Sequence, residues 1–199
     1  IQEIMKPRTE GEKKYDTATF YSISNCQEGL SRVTLGNFLI KRVVYEIQEE
    51  LPNIKNFGTL SPIPGFRDWF TTLDETIIQN ILGKIPYANI SFLKSSNLKV
   101  GDGRIVSYKN AIIKLVAHYL INEKNKKNLP INDVCRFHLG NGAIIDDIVI
   151  NANVSDVGFN RSFGVMVNYL YELKNIEKNH EDYINNKKII LSDKLKKII

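Results

Sequence analysis

In residues 61–66 (SPIPGF), a serine hydroxyl lies next to a backbone whose conformation is restricted by two prolines. Two prolines flank Ile63, so φ is restricted on both sides of it and the segment is expected to be irregular. Ser61 would then be held at the end of a strand, as suits a hydroxyl that binds a substrate or takes part in proton transfer. A proline-rich turn with no function explains the pattern equally well.

A second candidate is His138 in FHLGNGA (residues 137–143). Of the three histidines, His138 has a strand-like context followed by a Gly-Asn-Gly turn, whereas His118 lies in a predicted helix and His180 in a polar tail. Histidine suits acid–base work because its ordinary pKa is near working pH. A lone histidine is also often structural, so both interpretations stay open.

A third candidate is an anion site at the start of a helix. A predicted strand at residues 17–24 leads through a loop with Gly29 to a predicted helix at 35–51, and Thr34 stands at the N-cap position. Free N–H groups and the helix dipole favour a pyrophosphate there. An ordinary strand–loop–helix connection has the same pattern.

Composition excludes several classes of protein. The 199 residues are 43% hydrophobic and 25% charged, which is ordinary for a globular chain able to bury a core. Cys26 and Cys135 form no CxxC pair, so reduced thiols are expected. No metal-ligand spacing, GxSxG, Walker motif or long apolar run occurs. The net charge of +5 is spread along the chain rather than clustered, so no nucleic-acid partner is expected.

Helix and strand patterns alternate, which predicts an α/β or α+β fold with a mixed sheet. Helices are predicted at residues 35–51, 66–82 and 107–122. Strands are predicted at residues 17–24, 57–60, 134–139, 143–154 and 163–173. Residues 83–106 are expected to be irregular, and those after Lys174 weakly structured or helical.

Four segments taken together resemble one family. They are FYSISNCQEGLSRVTLGNFLIKRVV (20–44), TLSPIPGF (59–66), FHLGNGA (137–143) and FGVMVNYLYEL (163–173). In content, order and spacing they resemble malonyl-CoA decarboxylase over roughly residues 15–173. SPIPGF and FHL-x-NGA are the specific motifs.

The resemblance implies residues 1–175 to be the C-terminal portion of a GNAT-like catalytic domain, a mixed sheet flanked by helices that splays to admit CoA. Residues 176–199 would be a Lys/Asn/Ile-rich tail without assigned chemistry. The implied enzyme is a carboxy-lyase of fatty-acid and malonate metabolism that converts malonyl-CoA to acetyl-CoA and CO2. It would use no metal or organic cofactor, because the CoA thioester is itself the substrate.

The same resemblance assigns roles to residues. Ser61 would bind the malonyl carboxylate and accept a proton, His138 would donate a proton, and Tyr171 would add a supporting hydrogen bond. Tyr169 is expected on the opposite face of the strand from Tyr171. The positions that match the CoA-binding segment are Ser31, Arg32, Val33, Thr34, Leu35, Gly36 and Asn37.

Some features depart from the family pattern. Thr34 stands where relatives can carry glutamate, residues 67–106 are shorter, and residues 151–153 lack the expected Trp and Asp. The family's N-terminal helical domain is expected to be absent from this chain. A homo-oligomer is expected to assemble through that domain. No membrane partner is expected. The chain does not end in a peroxisomal SKL signal, so the cytoplasm is the default, with the mitochondrion as the alternative in a eukaryote.

Two other functions fit the same residues. A GNAT-type acyl-CoA N-acyltransferase would share the CoA site but would also need a cleft for an amine. An inactive fragment or basic binding module would need neither, although the retention of Ser61, His138 and Tyr171 argues against simple decay.

Overall fold

A computed structural model describes residues 15–20 and 36–199, which form a mixed sheet with helices packed around it. The strands are β1 (Thr17–Phe20), β2 (Asn56–Pro62), β3 (Ile144–Val149) and β4 (Met166–Leu170). Their spatial order is β1-β2-β4-β3, with β1 and β2 parallel and the other pairs antiparallel. The predicted fold class, a mixed sheet flanked by helices, is confirmed.

The helices of the described chain are mostly short. They are α1 (Gly36–Glu50), α2 (Phe66–Thr72), α3 (Glu75–Leu82), α4 (Gly103–Ser107), α5 (Lys109–Ile121), α6 (Asp133–Gly140), α7 (Asp156–Ser162), α8 (Ile176–Asn186) and α9 (Asp193–Lys196). Turns of 3₁₀ helix at Tyr87–Asn89 and Ser91–Lys94, with α4, occupy the stretch that was expected to be irregular.

The first half of the described chain follows the predicted pattern, with two differences. The predicted helix at 66–82 is two helices, because the backbone is extended at Leu73 and Asp74 between them. The predicted strand at 57–60 continues through Ser61 and Pro62, so the expectation that SPIPGF is irregular throughout is wrong. Proline is tolerated there because Pro62 ends the strand and lies beyond the described pairing with β1.

The prediction of a strand at 134–139 is wrong, because these residues belong to helix α6. Asn132 caps the helix by accepting a hydrogen bond from the N–H of Cys135 at 2.8 Å, and Asp133 adds a carboxylate to the first turn. The buried residues Cys135, His138 and Leu139 follow the i, i+3, i+4 spacing of a helix and not the alternation of a strand.

The C-terminal half contains elements that the sequence pattern did not resolve. Strands β3 and β4 are shorter than predicted, and α7 lies between them where nothing was predicted. The tail forms α8 and α9, with Ile176, Tyr183 and Leu195 buried, and Leu191 bridges to Ile145 of β3. The helical alternative for this tail is therefore the one observed.

Gly142, in the turn between α6 and β3, has no room for a side chain. Its φ is +81°, and an added Cβ would lie 2.2 Å from the carbonyl oxygen of Ile176 in α8. We expect Gly142→Ala to lower the free energy of unfolding by about 1–3 kcal/mol from backbone strain alone, and by more from the clash. Urea denaturation measures this change.

Gly140→Ala is the matched control, because Gly140 closes α6 in the same turn and an added Cβ would meet nothing within 4 Å. This variant should be neutral or slightly stabilising. Equal stability of the two variants would contradict the account of the turn.

Candidate active site

One face of the sheet collects polar side chains from β2 and β4. Thr59 lies opposite Tyr169 in the antiparallel register, and Ser61 lies opposite Val167. Side chains alternate along a strand, so Thr59 and Ser61 share a face with Tyr169 and Tyr171. The expectation that Tyr169 and Tyr171 point to opposite faces is wrong, because residues two apart point the same way.

Helix α6 brings His138 onto this face. The Nε2 atom of His138 is 2.9 Å from Oγ of Ser61, and its Nδ1 atom is 2.7 Å from the hydroxyl oxygen of Tyr171. The three predicted residues, 77 and 33 positions apart in sequence, therefore form one hydrogen-bonded chain. The geometry brings these residues together, while the role of each stays a prediction.

Two further residues belong to this site and were not predicted to act in it. Thr59 accepts a hydrogen bond from Oγ of Ser61 at 3.1 Å. The ring of Tyr169 stacks on the imidazole of His138, with centroids 4.3 Å apart and planes 21° apart. Both could have been found from strand periodicity, because Thr59 is two residues before Ser61 and Tyr169 two before Tyr171.

The chain of hydrogen bonds can run in either direction. A neutral imidazole carries one N–H, so when Tyr171 donates to Nδ1, the Nε2–H of His138 donates to Ser61, which donates to Thr59. In the other tautomer the Ser61 hydroxyl donates to Nε2, and Nδ1–H donates to the Tyr171 oxygen. A change of tautomer therefore moves the imidazole proton between Nε2 and Nδ1 and reverses both hydrogen bonds to the ring, while every group stays uncharged.

Burial keeps the whole group uncharged. His138 is 4% exposed, and desolvation lowers its pKa from the ordinary 6.5 to about 3. Desolvation also raises the pKa of Tyr171 well above its ordinary value. The argument that His138 suits catalysis because its pKa lies near working pH is therefore wrong for the unliganded site.

A single buried side chain ties Ser61's segment to the helix of His138. Asn132 caps α6 and also donates from Nδ2 to the carbonyl oxygen of Pro64 at 3.0 Å. Tyr119 of α5 donates to the same oxygen at 3.0 Å. Gly65, with φ of +80°, lets the chain turn into α2 immediately afterwards. The turn after β2 and the start of α6 are therefore held together.

The predicted CoA-binding positions are largely outside the described residues. Ser31, Arg32, Val33, Thr34 and Leu35 lie outside them, as does Cys26, whereas Gly36 and Asn37 open helix α1. Among the residues that the structure describes, Cys135 is a free buried thiol whose pKa burial raises to about 12. No cluster of three His, Cys, Asp or Glu side chains in those ranges could hold a metal ion.

No helix within residues 15–20 and 36–199 is long and apolar enough to cross a membrane.

Known proteins are similar to this chain in sequence and in fold. The family model for the malonyl-CoA decarboxylase C-terminal domain matches residues 1–199. The mitochondrial malonyl-CoA decarboxylase of Anser anser anser is 35% identical over 213 residues, which cover 98% of this chain and 42% of the relative. That of Rattus norvegicus is 34% identical over 217 residues, or 100% of this chain and 44% of the relative.

Solved structures agree with the sequence comparison. The crystal structure of malonyl-CoA decarboxylase from Rhodopseudomonas palustris matches with a TM-score of 0.81 and 39% identity, over 92% of this chain and 42% of that one. The structure from Agrobacterium vitis matches with a TM-score of 0.76 and 36% identity, over 92% and 45%. This chain spans less than half the length of the relatives that it matches.

Acid should destabilise the fold through His138. Its pKa is about 3 in the folded chain against 6.5 ordinarily, so the unfolded chain takes up the proton first as the pH falls below 6.5. The stabilisation by neutral His138 is complete above that pH. It is lost toward pH 3 by up to about 1.4 kcal/mol per pH unit.

Denaturant unfolding between about pH 7.5 and about pH 5 measures this loss. The variant His138→Asn should show a shallower slope, whereas His118→Asn, which changes a half-buried histidine elsewhere, should keep it. The same slope in His138→Asn as in the unaltered protein would show that burial of His138 is not its source.

Proposed function

Because this chain belongs to the malonyl-CoA decarboxylase family, we propose that it forms the C-terminal catalytic part of an enzyme that converts malonyl-CoA to acetyl-CoA and CO2. The observation that carries the proposal is the buried hydrogen-bonded chain of Ser61, His138 and Tyr171. These residues stand at the positions that the family's motifs assign to catalysis, and they come from three separate parts of the sequence.

The reaction breaks the bond between C2 and the carboxylate carbon of the malonyl group. The electron pair of that bond moves toward the thioester carbonyl and forms an enolate, and CO2 leaves. A proton added to C2 then gives acetyl-CoA. In this proposal the thioester itself accepts the electrons, so neither a metal nor an organic cofactor is needed.

Ser61 binds the malonyl carboxylate in this mechanism. Its hydroxyl is almost fully buried, and a hydrogen bond offered there meets little competition from water. The negative charge develops on the thioester oxygen as CO2 leaves, so the contribution of Ser61 is to hold the carboxylate in the orientation from which its bond to C2 breaks. Thr59 can take up the hydrogen bond of Ser61 before the substrate arrives, because its hydroxyl oxygen is 3.1 Å away.

His138 becomes a proton donor when the substrate carboxylate binds. A negative charge within hydrogen-bonding reach favours the imidazolium, which desolvation disfavours in the empty site. Substrate binding should therefore draw a proton onto His138. Once CO2 has left, desolvation again favours neutral imidazole, which drives the proton toward C2, and the Tyr171 oxygen can accept from Nδ1–H throughout.

The CoA moiety is assigned to the segment that precedes and opens α1. The N–H groups of residues 31–37 would bind the pyrophosphate, with the Arg32 side chain as a further cation. This assignment goes with the GNAT-like interpretation of the fold, in which a splayed sheet admits CoA. It is supported by the family motif and by the observed start of α1 at Gly36.

Membership of the family also suggests partners and a cellular compartment. The proposal includes assembly as a homo-oligomer through a helical domain N-terminal to this region, with no nucleic-acid or membrane partner. The goose and rat relatives are mitochondrial by name, which supports the mitochondrial alternative over the cytoplasmic default. Turnover of malonyl-CoA would place the enzyme in fatty-acid and malonate metabolism.

Release of CO2 from carboxyl-labelled malonyl-CoA by the full-length protein tests the reaction. Removing the proton donor or its partner, in His138→Ala or Ser61→Ala, should lower kcat by roughly 10²–10⁴-fold, far more than either change raises KM. His118→Ala and Ser91→Ala are matched controls that should retain activity.

An increase in KM at unchanged kcat in either site variant would contradict the catalytic roles. A folded protein that binds CoA but releases no CO2 from malonyl-CoA would contradict the reaction. Transfer of an acetyl group to an amine by that protein would favour the acyltransferase alternative.

Tyr169 should matter through its ring and not through its hydroxyl. Tyr169→Phe keeps the surface that stacks on His138 and should leave kcat nearly unchanged. Tyr169→Leu removes the flat surface and lets the imidazole tilt, which should lower kcat by roughly tenfold or more, since small misplacements of a reacting group are costly. Steady-state kinetics of both variants decide this, and equal activity of the two would contradict it.

A further inference from the structure

Helix α8 satisfies one carbonyl group that α6 leaves open at its end and another in the turn that follows α6. The last carbonyls of a helix have no partner within it. Here the carbonyl oxygen of Gly140 accepts from Nδ1 of His180 at 2.6 Å, and that of Gly142 accepts from Nδ2 of Asn179 at 3.2 Å. Both donors come from the tail, to which the sequence assigned no chemistry.

The same turn fixes the backbone of His138. The carbonyl oxygen of His138 accepts hydrogen bonds from the N–H groups of Asn141 and Ala143, each at 3.1 Å. These two residues flank Gly142, whose Cα faces the backbone of Ile176 with no room for a Cβ. A displacement of this turn would therefore move His138 relative to both of its hydrogen-bonding partners.

The contacts of α8 with the turn all lie on one side of the helix. Ile176, Asn179 and His180 have the i, i+3, i+4 spacing that places side chains on a common face. Asn179 is buried against the turn. The ion pair of Glu177 with Lys41 of α1, at 3.0 Å, lies nearer the surface, where such pairs contribute little.

We propose that Asn179 and His180 are positioning residues, which hold the end of α6 so that His138 stays between Ser61 and Tyr171. This inference depends on the proposed function, because it gives His138 a role in turnover. A carbonyl oxygen only accepts, so the nitrogen of His180 that faces Gly140 carries the hydrogen. What this position needs is a donor, which asparagine can also supply.

The first test compares His180→Leu with His180→Asn in the full-length protein. Loss of the donor in His180→Leu should lower kcat by roughly tenfold with KM nearly unchanged, because His138 and not substrate binding is disturbed. His180→Asn should restore most of the activity. His118→Leu, a histidine away from the turn, should leave kcat unaltered.

A second measurement separates positioning from plain stability and from the proposed reaction. Nitrogen-15 chemical shifts of the His138 ring report its tautomer and hydrogen bonds without any turnover. They should change in His180→Leu and return in His180→Asn, at a temperature where thermal denaturation shows both variants fully folded. If His180→Leu does not fold, Asn179→Leu, which is similar in size and has no donor for the carbonyl of Gly142, takes its place.

Unchanged His138 signals and kcat in the folded variant would overturn the proposal, as would equal losses in His180→Leu and His180→Asn. If the unaltered protein releases no CO2, the proposed function fails, and the chemical shifts still decide whether α8 positions His138.

Discussion

A buried imidazole must have both nitrogens satisfied without becoming charged, and much of this structure follows from that requirement. Water cannot serve His138 at 4% exposure, so the protein supplies a hydroxyl to each nitrogen, from Ser61 and from Tyr171. Hydroxyls suit the task because each can donate or accept. A carboxylate in either place would have favoured the charged imidazolium instead.

This requirement sets the demands on the surrounding elements. The register between β2 and β4 brings Ser61 and the tyrosines to one face, and α6 lays His138 across that face. Asn132 holds one end of α6 and the carbonyl contacts of α8 hold the other. The imidazole is thus fixed by a sheet beneath it and by hydrogen bonds at both ends of its helix.

The fold class and the grouping of the site residues could be predicted from the sequence, whereas helix α6 and the pKa of His138 could not. The pattern of β-branched and apolar residues predicted the mixed sheet and α1, and the motif resemblance selected Ser61, His138 and Tyr171 correctly as neighbours. The prediction failed for α6, because Val134 and Phe137 give this short helix an apolar pattern that is typical of a strand unless the N-cap at Asn132 is considered. The low pKa of His138 could not be predicted, because burial depends on tertiary packing.

The hydrogen bond between Asn132 and Pro64 holds two points that are far apart in sequence next to each other. Residues 65–131 form an excursion whose two ends are held together by this hydrogen bond, next to the strand of Ser61 and the helix of His138. Length can therefore change within the excursion without altering the distance between Ser61 and His138. The stretch at residues 67–106 that is expected to be shorter than in the family lies inside this excursion, where a difference in length would leave the positions of both motifs unaltered.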